Sequence, residues 1–207
     1  HSYCSNISCW IMSTKHAKAA GEFLKNQKMA AWHDETLWMV RAKRDKMSKQ
    51  VPEWEHLRDM ACALKMYSNS HLDQLLQEFE KNAVANGACV YWAKDADEYC
   101  SIVYNILHGH QVKHFIKSKS MLAEECGLNE FLEKKGIEVV ESDLGERILQ
   151  LMHQRPSHIV MPAIHIKKEK IGELFVREMG TEPGNNDQTY LTHAARKNLR
   201  RKFIEAE

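Results

Sequence analysis

The sequence predicts an α/β fold, with a helical N-terminal arm followed by a partial parallel sheet. Three observations predict it. The runs 112–116, 137–140 and 158–161 are short, apolar and β-rich. Each is followed by a helical pattern, and that alternation marks βαβ units. Each also ends in a polar cluster: Lys117-Ser118-Lys119-Ser120, then Glu141-Ser142-Asp143-Leu144-Gly145-Glu146, then Pro162-Ala163-Ile164-His165. Open parallel sheets bind ligands beyond the carboxyl ends of their strands. A site is therefore expected where these clusters converge.

The arm comes first. Residues 17–29 and 33–47 are helical by propensity, with a break expected at 31–35. Pro52 suits a first helical position, because its fixed φ fits there and its missing N–H costs nothing. Leu57, Met60, Ala61 and Leu64 then fall on one helical face. Leu72, Leu75, Leu76, Phe79 and Ala83 repeat the spacing, and Asn86-Gly87 closes that helix.

From residue 88 the period changes. Residues 88–93 (ACVYWA) read as a first strand. Asp95 opens a helix ended by Gly109-His110, and 112–116 is the next strand. A helix over 122–135 is interrupted at Gly127 and capped by Gly136. After the strand at 137–140, Asp143 and Glu146 have the spacing of a capping box. Residues 158–161 read as the fourth strand. Ile171, Leu174, Phe175 and Met179 mark a helix stopped by Gly180, and 181–187 is a solvated loop. Leu191, Ala195, Leu199 and Phe203 define the last helix. The expected organisation is an extension or disordered start over 1–14, the arm over 15–86, and an α/β domain over 87–207. A small sheet ending on a helix suggests a domain incomplete at its C-terminus.

Composition narrows the function. The 207 residues carry 29 basic and 28 acidic side chains, a formal net charge of +1. Such balance offers no reason to expect a nucleic-acid partner or a membrane surface. No apolar run reaches the ~18–20 residues of a membrane span. The cysteines, Cys4, Cys9, Cys62, Cys89, Cys100 and Cys126, include no CxxC pair. They read as isolated, buried thiols of a cytoplasmic protein.

Each candidate chemistry has a structural alternative beside it. Lys117, Ser118 and Ser120 at a helix start suit a phosphate or carboxylate; equally, Ser120 caps the helix and the lysines are solvated. Glu124, Glu125, Glu141, Asp143 and Glu146 could do acid–base work, or Asp143 and Glu146 simply cap. His108, His110 and His114 are clustered, but no carboxylate joins them, and a metal needs three or four converging ligands; no metal is expected. His165, after a strand, is the better functional histidine. Arg196, Lys197, Arg200, Arg201 and Lys202 form a phosphate-tracking stripe or a solvated face. The candidate ligand-binding set is Lys117, Ser118, Ser120, Asp143, Glu146 and His165, with no catalytic residue assigned.

Several stretches carry a family resemblance. They are Trp32-His33-Asp34-Glu35-Thr36-Leu37-Trp38, Lys117-Ser118-Lys119-Ser120-Met121-Leu122, Ser142-Asp143-Leu144-Gly145-Glu146-Arg147-Ile148 and Pro156-Ser157-His158-Ile159-Val160, with Thr189-Tyr190-Leu191-Thr192. Over most of residues 15–207 the chain resembles the N-terminal part of the iron–sulfur B subunit of the bacterial lactate-utilization system, the LUD domain family. The resemblance implies a cytoplasmic protein that acts with other subunits to oxidise L-lactate to pyruvate. It implies an α/β domain of the sugar-phosphate isomerase and CoA-transferase type. It also implies two [4Fe–4S] clusters in full-length members. These need closely spaced cysteines, so they are expected downstream of residue 207, with no cofactor in this chain. On this reading the chain serves ligand binding and subunit docking in an electron-transfer oxidoreductase and is not catalytic alone. The alternative is a stand-alone enzyme or binding module on a CoA-transferase-like scaffold, recognising a phosphate- or carboxylate-bearing small molecule. A homo-oligomer is a further possibility.

Overall fold

A computed structural model describes residues 11–206, with side chains from residue 16 onward. The expected extension over 1–14 thus lies largely outside the described residues. The chain divides into two compact units between Ala63 and Leu64.

The first unit holds α1 (Ile11–Lys25), α2 (Gln27–Ser48) and the start of α3 (Trp54–Ser70). The helix break falls at Asn26, not at 31–35. The Asn26 side chain accepts from the Met29 N–H and so caps α2. Residues 31–35 continue the helix, because their polar groups bond along it. Thr36 donates to the Trp32 carbonyl at 2.7 Å, and Trp38 donates to Asp34 at 3.1 Å. Phe23 of α1 meets His33 of α2 edge-on, with ring centroids 5.7 Å apart. Pro52 stands in the turn before α3 rather than in its first helical position.

The second unit continues from α3 through α4 (Leu72–Ala85) and α5 (Ala96–Gly109) into β1 (His114–Lys117). The short helices α6 (Met121–Glu125) and α7 (Leu128–Lys134) lead to β2 (Glu138–Glu141). Then come α8 (Leu144–Met152), α9 (Lys168–Met179) and α10 (Gln188–Glu205). Gly127 at φ 67° breaks α6 from α7, as expected, because that left-handed geometry suits a residue without Cβ.

β1 and β2 pair in parallel, with Phe115 opposite Val139 and Lys117 opposite Glu141. Helices cover both faces. On one, Val139 packs with Cys100, Ala123, Leu128, Leu132 and Phe115. Beyond the sheet, α8, α9 and α10 share a second core built on Ile148, Leu174, Phe175, Leu191 and Ala195. The outer edge of β2 is closed by a side chain. Gln150 donates to the Val139 carbonyl and accepts from the Glu141 N–H, as a neighbouring strand would.

The sheet therefore has two strands among the described residues, where four are expected from sequence. Residues 88–93 run irregularly, with Tyr91 and Trp92 exposed and Trp92 Nε1 donating to Glu80. Residues 158–161 form a loop. There the His158 ring accepts from the backbone N–H groups of Val160 and Met161, which a strand would commit to its ladder. Ser157 N–H closes the loop onto the Pro162 carbonyl. Ile159 and Val160 stay exposed, so the apolar run buries no face. Among the described residues no helix is long and apolar enough to cross a membrane.

Candidate functional site at the strand ends

Both strands end on a charged residue, and the parallel register sets those two side by side. Lys117 and Glu141 extend the row of Phe115 and Val139 by one step beyond the core. Both side chains are buried, at 8% and 3% exposure. Lys117 Nζ lies 2.5 Å from Glu141 Oε1. The contact is close in distance but off the line of a hydrogen bond, so Nζ keeps unspent donors. Asn129, on α7, donates to the same Oε1 at 2.8 Å. Glu141 Oε2 and Asn129 Oδ1 are buried without a hydrogen-bond partner.

A second layer sits above this pair. Lys119 Nζ is 3.5 Å from Glu146 Oε1 and also donates to the Ile159 carbonyl, which ties the 157–162 loop to the site. Glu124, on α6, shares a hydrogen bond with Glu146, and its pKa is pushed up to about 7. Burial is the largest cause, followed by the charge of Glu146, the hydrogen bond to it and the charge of Glu141; Lys117 pulls the other way. Two ionised carboxylates have no proton to share. A proton on Glu124 supplies the missing donor.

The six residues singled out from sequence take different places. Lys117 and Glu146 lie inside the cluster. Ser120 and Asp143 are engaged as helix caps, accepting from Ala123 N–H at 3.2 Å and Glu146 N–H at 3.0 Å. Ser118 is exposed in the turn. His165 is held at the loop base, its Nδ1 2.6 Å from Ser157 Oγ. Only half of the expected capping box is engaged: Asp143 caps, while the Glu146 carboxylate serves Glu124 and Lys119. The candidate set lacks Lys119, Glu124, Asn129 and Glu141. One signal could have found Glu141: equal-length strands in register must place their last residues together.

The loop is seated by contact as well as by charge. A Cβ on Gly145 would come within 2.8 Å of Pro162 Cγ, so the glycine lets Pro162 lie on the first turn of α8. No group of three or more His, Cys, Asp or Glu side chains with metal-holding geometry occurs among the described residues.

The LUD domain family model matches residues 76–207, which include both strands and every residue of the cluster. This chain belongs to the LUD domain family. It is 40% identical over 158 residues to lactate utilization protein B of Exiguobacterium sp. (strain ATCC BAA-1283 / AT1b), covering 76% of this chain and 33% of that protein. To the protein of the same name in Bacillus subtilis (strain 168) it is 38% identical over 169 residues, 81% of this chain and 35% of the relative. To that of Bacillus licheniformis it is 35% identical over 198 residues, 95% and 41%. The chain thus spans about a third to two fifths of these relatives. No solved structure matches it.

Proposed function

We propose that this LUD domain is the ligand-binding and docking portion of a lactate-utilization protein, and that its strand-end cluster takes a small 2-hydroxy acid. The observation that carries the reading is the Lys119–Glu146–Glu124 group, in which burial and the neighbouring Glu146 hold the Glu124 carboxyl well above its usual range. A 2-hydroxy acid offers a carboxylate to an ammonium and a hydroxyl proton to a carboxylate. Lys119 and the Glu124–Glu146 pair hold both complements, and the relatives' printed name points to lactate. In this reading the chain acts with other lactate-utilization subunits when L-lactate is oxidised to pyruvate.

The [4Fe–4S] clusters implied by the resemblance do not fit the described cysteines. Cys62 and Cys89 are exposed, while Cys100 is buried in the core and its thiol bonds the Cys126 carbonyl. Four converging thiolates are required. Electron transfer in our reading belongs to the part of the longer relatives that this chain does not span, and no step is routed through these residues.

Calorimetric titration tests the reading. L-lactate should bind in the millimolar range, propionate, which lacks the hydroxyl, at least tenfold more weakly, and Lys119→Met should abolish binding. Equal binding of propionate and lactate would remove the hydroxyl argument. Binding of an acyl-CoA or a sugar phosphate in place of lactate would favour a stand-alone enzyme on a CoA-transferase-like scaffold.

A further inference from the structure

The last helix has two faces of different character. Toward the core α10 sends Leu191 and Ala195, both buried, and Lys202, whose Nζ reaches Glu138 of β2 at 2.7 Å. On the opposite side Arg196, Lys197, Arg200 and Ile204 follow at spacings of one, three and four residues and form one exposed row, flanked by the exposed Phe203 and Arg201. Between Gln188 and Ala206 the chain carries five Lys and Arg side chains and one carboxylate, in a protein whose formal net charge is +1. That carboxylate, Glu205, lies 3.8 Å from Arg201. Arg196, Lys197 and Arg200 make no ion pair among the described residues. Two large apolar side chains stand among these cations: Phe203 is 58% exposed and Ile204 67%. The Arg200 guanidinium lies over the Phe203 ring, 5.9 Å from its centroid.

We infer that the C-terminal half of α10 docks this face on an anionic lipid surface. The cations lie in the phosphate layer, and Phe203 and Ile204 enter the boundary between headgroups and acyl chains. Charge selects the class of partner, and the apolar pair selects within it. Water satisfies the cations but leaves Phe203 and Ile204 uncovered. A nucleic-acid strand offers phosphates to the cations and a base to stack on Phe203, but Ile204 has no π-face and gains nothing there. A bilayer takes the cations and both apolar side chains from one side. At a rise of 1.5 Å per residue the row from Arg196 to Ile204 is about 12 Å long, so the helix lies on the surface and does not span it.

Co-sedimentation of the 207-residue chain with vesicles is the test. At low salt, vesicles of equal parts phosphatidylglycerol and phosphatidylcholine should bind it about tenfold more tightly than phosphatidylcholine alone. Raising the salt to about 0.5 M should release it, because the attraction is screened. Arg196→Glu with Arg200→Glu should weaken binding about tenfold. Phe203→Ser with Ile204→Ser should weaken it about threefold. Polyglutamate, a polyanion with no apolar layer, should bind the Phe203→Ser, Ile204→Ser variant as it binds the wild type. All four positions are exposed, and circular dichroism checks that the helix is intact in each variant. Absence of binding to the anionic vesicles at low salt overturns the inference, as does equal binding to the two kinds of vesicle. Vesicle binding that Phe203→Ser with Ile204→Ser leaves unchanged also overturns it, because charge alone would then account for the contact. So does a single-stranded RNA that binds more tightly than the vesicles at the same phosphate concentration.

Discussion

Lys117 Nζ lies 2.5 Å from Glu141 Oε1, joining the last residues of two parallel strands in a buried ion pair. Taking two charges out of water is costly, and removing one partner leaves the other uncompensated. Lys117→Met should therefore destabilise the chain by about 3–5 kcal/mol. Lys117→Met with Glu141→Leu should recover most of that loss, because no lone charge remains. Urea unfolding of the two variants measures the difference; equal losses in both would mean that the pair is not buried as described.

Glu124 should make stability depend on pH. Its pKa is raised from the ordinary 4.5 to about 7, so the folded state holds a proton that the unfolded state releases. The stability tied to this group is present below about pH 4.5 and lost as pH rises through about 7. Glu124→Gln keeps a neutral group there. Its unfolding midpoint should fall less than that of the wild type between pH 5 and 8. Parallel curves for the two proteins would place the proton elsewhere.

Two glycines should respond with opposite signs. At Gly145 a Cβ meets the Pro162 ring at 2.8 Å and Asp143 Oδ1 at 3.2 Å. A ring carbon cannot swing aside, so Gly145→Ala should cost about 1–3 kcal/mol. Gly21 lies inside α1 with nothing within 4 Å. Gly21→Ala should stabilise that helix by about 0.5–1 kcal/mol. Thermal unfolding of each variant gives the sign directly.

His158 holds its loop by accepting from Val160 and Met161 N–H groups at 3.1 and 3.0 Å. In His158→Ala those amides should exchange with solvent at least tenfold faster, while the core amides of α9 keep their protection. Unchanged exchange at 160 and 161 would show that Lys119 and Pro162 seat the loop without the ring.

Helix ends were the most legible part of the fold. Asp95, Ser120, Asp143 and Gly180 act at the caps where their residue types place them, since capping is a local competition for backbone groups. The two real strands were legible to within two residues. The two false ones were not rejected, because 88–93 and 158–161 have strand composition. What decides them is non-local: the Trp92–Glu80 bond in one, the His158 ring folded onto its own backbone in the other. The start of α2 differs from the sequence expectation because the Asn26 side chain accepts from the Met29 N–H and caps the helix there. Of the site, the strand-end location and Lys117 and Glu146 were legible. Glu124 and Lys119 depend on how α6 and the 157–162 loop pack over the strands, and spacing does not encode that.

In the function proposed above, Glu124 and Glu146 share a proton within a cluster that binds a 2-hydroxy acid. Carbon-13 NMR of glutamate carboxyl groups, titrated over pH 4 to 9 with and without L-lactate, tests it most directly. One carboxyl should titrate near pH 7, disappear from that range in Glu124→Gln, and shift when L-lactate is added. A spectrum in which every glutamate titrates in the ordinary carboxylate range, unmoved by L-lactate, would contradict the account.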